Sequence, residues 1–306
     1  MPSSTVVTGL AGSLDAVMTR LQRGHGDPTL RRVHDGWWRA MHPAPGPALV
    51  HFRREGDDVV VRAWGEGTAW AFEHAPTQLG ADDRPELFPP APVRLGATGL
   101  LAEALAAAVI EQKVTGAEAF TSLRRLVRRF GEPAPGAEDE HHPAHGLVAP
   151  PTAEQWAALP GWEAVQVGID DRRAATLRRT MAKVPALERV LARHAGLDVT
   201  PRGEALERAL TSLPGIGVWT AAKVRQQVLG DPDAWSIGDY HVPGVVEWRL
   251  GGPAEEALEP FRPHRYRLEL SLLSQGLPPR HGPRRSLPTH LPLRADWRGG
   301  SHGRRP

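Results

Sequence analysis

Two chemical devices stand out in the chain, a glycine hairpin and a carboxylate at a fixed distance from it. Leu213-Pro214-Gly215-Ile216-Gly217 opens onto Val218-Trp219-Thr220-Ala221, and Asp239 follows the tryptophan by twenty residues within Gly238-Asp239-Tyr240. Glycine at 215 and 217 permits a turn too tight for side chains. A helix begun at Trp219 then aims the backbone N–H groups of Gly215, Gly217 and Val218 outward. Such a helix start holds an anion, and a nucleic-acid phosphate fits best. The plainer alternative is an ordinary turn between helices, though such a turn rarely needs two glycines around one apolar residue. Asp239 also has two readings. It can cap the helix expected from Tyr240, or it can act as a fixed carboxylate that stabilises positive charge and orients water.

The motif, with Gly238-Asp239 downstream, resembles the helix-hairpin-helix DNA glycosylases, specifically the 3-methyladenine DNA glycosylase II family. Ala107–Thr115 is similar to that family's "ILxQQVS" helix end, and Arg128-Arg129-Phe130-Gly131 to its sequel. Glu259-Pro260-Phe261-Arg262 resembles its "KPWR" segment, and the matches run in family order from about residue 95 to 276. The resemblance implies removal of alkylated purines, of the 3-methyladenine and 7-methylguanine type, from duplex DNA by a monomer. It implies Asp239 as the catalytic carboxylate and Trp219, Tyr240 and Phe261 as base-pocket walls, the last two being equally readable as core. DNA contacts would come from Gln112, Lys113, Pro214, Gly215, Ile216, Gly217, Val218 and Thr220. The backbone carbonyls of Thr211, Leu213 and Ile216 match positions that hold a monovalent cation in relatives; no other cofactor is expected.

Cleaving an N-glycosidic bond builds oxocarbenium character on C1′, which a carboxylate at 239 would stabilise in a water-poor pocket. Bifunctional relatives carry a Schiff-base lysine two residues after the second hairpin glycine. Trp219 stands there instead, so the chain reads as monofunctional; Lys223 is one helical turn on, with nothing else marking it as a nucleophile. An indole face attracts a cation, which suits N3- or N7-alkylated purines, although a tryptophan here can also serve only as packing. Reaching a base in duplex DNA requires flipping it and filling the gap. The resemblance places that wedge at Lys113, where the bacterial type protein has leucine; a lysine fills a base stack poorly but reaches phosphates well. Two rivals stay open: a glycosylase of the same fold retuned to another damaged base, and a catalytically silent DNA-damage binder.

The 306 residues contain no cysteine, which excludes disulfides, thiolate zinc sites and iron–sulfur clusters. No apolar run approaches the eighteen residues of a membrane span, and no secretory signal is apparent, so a cytoplasmic protein without membrane contact is expected. Leu277 to Pro306 holds seven Arg and one Asp, a net +6 against +2 for the whole chain, which leaves residues 1–276 at −4. DNA affinity must therefore come from a local patch and from this Pro- and Gly-rich tail, which reads as disordered.

The elements expected to position these groups are those of an α+β chain. A small N-terminal α/β domain with an antiparallel sheet spans 1–94, a mostly α-helical helix-hairpin-helix glycosylase body 95–276, and the tail 277–306. Leu14–Leu21 reads as a short helix and Thr29–Phe72 as β, with Ala48–Arg53 and Val59–Trp64 forming a hairpin and the sheet covered on both faces. Asp82 to Pro92 reads as a connector. Helical periodicity predicts Leu101–Val114, Gly116–Phe130, Ala153–Ala158, Arg172–Lys183, Leu187–His194, Glu204–Leu213, Trp219–Leu229, Tyr240–Leu250 and Tyr266–Leu273. Gly131–Pro151 reads as a surface loop; its His141, His142 and His145 beside Glu138, Asp139 and Glu140 raise the thought of a metal, but flexible polar loops seldom pre-organise ligands. Asp231 and Asp233 read as turn residues.

Overall fold

The computed structural model describes residues 4–279; the disorder expected of the tail falls almost wholly outside them. The chain is α+β, as expected. Strands β1 (Ser4–Val7), β2 (Leu30–Val33), β3 (Gly36–Met41), β4 (Ala48–Glu55) and β5 (Asp58–Trp64) form one antiparallel sheet in the order β1-β5-β4-β3-β2. The β4–β5 turn is Gly56-Asp57, with Gly56 at φ 60°, the left-handed value such a tight hairpin needs. Alternation decides the faces. Trp37, Met41, Val50, Phe52, Val59 and Val61 turn to one side, where α1 (Leu14–Leu21) brings Leu14 and Met18 and α2 (Thr68–Gln78) brings Ala71 and Ala75. Trp38, Ala40 and Leu49 turn to the other.

That second face corrects the surface-loop reading of 131–151. Ala134, Ala137, Ala144 and Leu147 pack beneath Trp38, Ala40 and Leu49. The short strands β6 (Glu132–Pro133) and β7 (Val148–Ala149) pair at the segment's ends, and His142 sets its ring edge-on against Trp38, 4.8 Å between centroids. The segment is a strap across the sheet because its apolar residues complete a core that the first lobe leaves open.

The helical body is α3 (Leu101–Ile110), α4 (Gly116–Phe130), α5 (Ala153–Ala157), α6 (Gly161–Gln166), α7 (Asp171–Met181), α8 (Val184–Arg193), α9 (Val199–Thr211) and α10 (Val218–Leu229). α3 is its axis. Ala104, Ala106 and Ala108 are small enough to let α7 and α10 close on it, with Leu177, Met181, Leu206, Leu210 and Val224 filling the remaining space. A third core joins α11 (Val242–Leu250), α12 (Ala254–Leu258) and α13 (Arg265–Ser274) to Phe88, Ala91, Val93 and Leu95. The stretch read as a connector is thus packed, and Arg267 of α13, 1% exposed, pairs with Asp83 at 2.5 Å.

Other departures are local. The β signal read through Phe72 gives way to α2 at Thr68, and α3 stops at Ile110 rather than Val114. α9 begins at Val199, and α11 begins at Val242, leaving Tyr240 outside it. No described helix is long and apolar enough to cross a membrane, and no described group of three or more His, Asp or Glu is arranged to hold a metal.

Candidate active site and nucleic-acid interface

The hairpin joins α9 to α10, and its two glycines do different work. Gly215 lies at φ 91°, and a Cβ there would sit 2.5 Å from Thr176 Oγ1 of α7, so both backbone and packing demand glycine. Gly217 has an ordinary φ of −103°, and a Cβ there meets no heavy atom within 4 Å. The fold leaves Gly217 free to carry a side chain, and the space before it is open to an approaching group. Gly217 is the cap of α10 with no side-chain cap bond, and Pro214, Gly215, Gly217 and Val218 are exposed. The N–H groups that begin α10 therefore face outward without a capping side chain.

Ile216 and Thr220 are corrected as surface contacts. Ile216, 6% exposed, pins the hairpin into the helical core, and Thr220 is buried at 2%. Gln112 also turns inward. Its Nε2 donates to Gly215 O at 3.0 Å and to Thr220 Oγ1 at 2.9 Å, buckling the end of α3 to the hairpin. Next to it Lys113 is exposed at φ 55°, the one non-glycine residue with positive φ among those described. That conformation costs roughly 1–3 kcal/mol and throws the lysine side chain out beside the clamp. Of the three carbonyls, Leu213's accepts Ile216 N–H at 3.1 Å, and a carbonyl has a second lone pair for a cation.

Trp219 and Asp239 meet. The indole Nε1–H donates to Asp239 Oδ2 at 3.0 Å, while Oδ1 accepts the N–H groups of His241 at 2.8 Å and Val242 at 3.4 Å. The cap is present and the geometry leaves room for the second reading, because one oxygen caps the start of α11 and the other is aimed by the tryptophan. Burial works against the charge, but the His241 N–H, the indole and the nearby Lys223 outweigh it and hold the carboxyl below its usual range. Asp239 is thus a fixed, half-buried anion at neutral pH.

The loop that delivers Asp239 is held from below by charges that sequence reasoning took for turn residues. Asp231, fully buried, accepts Arg225 Nε at 2.9 Å and Nη2 at 2.6 Å, and a Cβ on Gly203 would overlap its carboxylate. Asp233 pairs with Arg265 at 2.6 Å. Ser236 donates its N–H and hydroxyl to buried Glu269, both at 2.7 Å, and burial pushes that carboxyl up. The available signal was Arg225 six residues before Asp231, at a distance a helix end can close.

The other pocket candidates separate. Tyr240 is 77% exposed, with its ring edge against His241. Phe261 packs edge-on against Phe88, 6.3 Å between centroids, within the third core. Lys223, which the sequence left unmarked, takes their place beside Trp219, with its ammonium 5.7 Å from the indole centroid. The indole face expected to be free for a cationic base already has a cation beside it.

The architecture, a glycine hairpin between helices with an aspartate bonded to the second of them, belongs to a fold shared with solved DNA glycosylases. Among solved structures, the 3-methyladenine DNA glycosylase of Archaeoglobus fulgidus superposes with a TM-score of 0.65 at 21% identity, over 84% of this chain and 92% of that one. The 8-oxoguanine glycosylase/lyase of Clostridium acetobutylicum superposes at 0.60 with 12% identity, over 90% and 97%. In sequence, the probable bifunctional transcriptional activator/DNA repair enzyme AlkA of Mycobacterium tuberculosis is 31% identical over 180 residues, 58% of this chain. This chain spans 32% of that relative's length. No protein-family profile matches the chain. The fold read from the motifs is the one these solved structures share, and the AlkA relative is similar over a stretch about as long as the one that carries the motifs.

Proposed function

We propose that the chain is a monofunctional DNA glycosylase that removes alkylated purines from duplex DNA in base excision repair. The observation that carries this reading is the Trp219–Asp239 hydrogen bond, set beside a hairpin that offers bare N–H groups to phosphate. The α10 start and the exposed hairpin would grip the backbone, Lys113 would reach toward the strand, and a monovalent cation on the carbonyls of Thr211, Leu213 and Ile216 would add charge at the same contact. Once a nucleotide is flipped, Asp239 would face positive charge growing on C1′ and take a proton from the attacking water. The indole holds the carboxylate in place, and no amine stands at 219 to form an imine. Alkylation at N3 or N7 leaves a cationic base whose glycosidic bond is already weakened, so for such lesions strong acid catalysis at the leaving base is dispensable. The names of the relatives, one a 3-methyladenine glycosylase, support the substrate class.

The test is release of alkylated purines from duplex DNA by wild type and Asp239→Asn. Base release should fall by about 10²–10³, the cost of losing one preorganised electrostatic stabiliser, with duplex binding retained. Borohydride should trap no covalent enzyme–DNA adduct. Full activity in Asp239→Asn would remove the carboxylate from the mechanism, and a trapped adduct would make the enzyme bifunctional.

A further inference from the structure

Resting on the glycosylase reading, we infer that Lys223 selects among alkylated purines by charge, favouring uncharged adducts over those that carry a formal positive charge. Lys223 is one turn after Trp219 on α10, so both side chains share a face, and its ammonium sits 5.7 Å from the indole centroid. It is close enough to Asp239 to help hold that carboxyl below its usual range, and close enough to Glu269 to oppose the burial that pushes that one up. It therefore stands within electrostatic reach of the carboxylate proposed to act on the sugar.

Behind Lys223 opens a cavity of about 250 Å³, lined by Arg20, Arg23, Glu111, Gln227 and Tyr266 among others. It is smaller than the roughly 300–1,000 Å³ of pockets for drug-sized ligands, which suits a single heterocycle. Apart from Glu111, Thr98 and the glutamine amides, which also offer acceptors, its polar side chains are donors. Glu111 is committed to Arg23 at 3.3 Å, so its charge is neutralised within the wall. Arg20 remains a cation, and the buried Tyr266 hydroxyl is pushed up by burial and keeps its proton. Asp239 keeps its charge but is held outside the cavity lining by the indole and the N–H groups at the start of α11, and Glu269, bonded to Ser236, also lies outside it. A base entering this space meets ammonium, guanidinium and phenol donors. Ring nitrogens and carbonyls of an uncharged purine satisfy them, whereas a cationic purine meets like charge and finds Lys223 already beside the indole.

The test compares single-turnover release of 7-methylguanine, which is charged in DNA, with release of 1,N6-ethenoadenine, an uncharged alkylated purine. Each rate is divided by its enzyme-free rate, and the duplexes are otherwise identical. Lys223→Met should raise the ratio of charged to uncharged release on the order of tenfold, the Coulomb effect of removing a unit charge about 6 Å away at a dielectric between those of protein and water. Lys223→Arg should keep the wild-type ratio, and Lys223→Gln serves if the methionine variant melts early. A ratio unchanged in a folded neutral variant overturns the inference and leaves the glycosylase reading standing. A wild-type protein that releases neither base overturns both.

Discussion

Asp239 carries its own pH signature. Its carboxyl lies below the usual carboxylate range because the folded state donates hydrogen bonds to the anion and sets Lys223 near it. A depressed carboxyl keeps its charge as pH falls through the ordinary range and loses it only below. The acid limb of the single-turnover rate, measured against an enzyme-free control, should therefore fall below the ordinary aspartate value near 3.9. The same sign applies to stability: the contribution of Asp239 is complete above its unfolded value and is lost as pH drops through the folded one. Trp219→Phe removes the indole donor and should move that limb upward. An unmoved limb would show that the indole does not tune the carboxylate.

At the scale of elements, the hairpin separates two demands that one motif conflates. Gly215→Ala places a methyl against Thr176 and should destabilise the fold. Gly217→Asp has room for its side chain, so it should melt near wild type while losing binding to damaged and undamaged duplex alike, since phosphate contacts carry no sequence information. Normal duplex binding by folded Gly217→Asp would reduce the hairpin to a turn. The hairpin and the α+β order were legible because each rests on local backbone chemistry, whereas Asp239 was marked beyond a helix cap only by the family resemblance. Apart from the Asp231–Arg225 pair, six residues apart, what escaped depended on partners far along the chain. The Asp231 and Asp233 ion pairs, the strap at 131–151 and the inward turn of Gln112 all reflect burial that period and turn propensity do not encode. Tyr240 and Phe261 looked alike as aromatic residues near motifs, yet one points to solvent and the other into a core.

Across the whole molecule, charge and packing make separate predictions. Residues 1–276 carry a net −4 and the last thirty residues +6, so removing Leu277–Pro306 should weaken duplex binding and flatten its salt dependence. Each arginine that contacts a phosphate contributes about one unit of slope, and an unchanged slope would make the tail a bystander. The Asp83–Arg267 pair binds the stretch after the sheet to α13, with Arg267 also donating to Val93 O. Asp83→Ala leaves a buried guanidinium without its anion and should cost about 3–5 kcal/mol, as breaking a buried pair does; thermal or urea unfolding measures it. A loss under about 1 kcal/mol would mean that water reaches the pair, as at exposed pairs.

The strap across the sheet has a consequence for how such a chain can be divided. The outer face of the sheet is closed by residues that arrive more than sixty positions later, after two helices of the neighbouring lobe. Cutting the gene at residue 94 would yield a sheet with Trp38 and Leu49 bare to water and a helical remnant with an unanchored apolar ribbon. The two lobes therefore share one packed face, and a first lobe exchanged for another must arrive with a groove cut for the same strap.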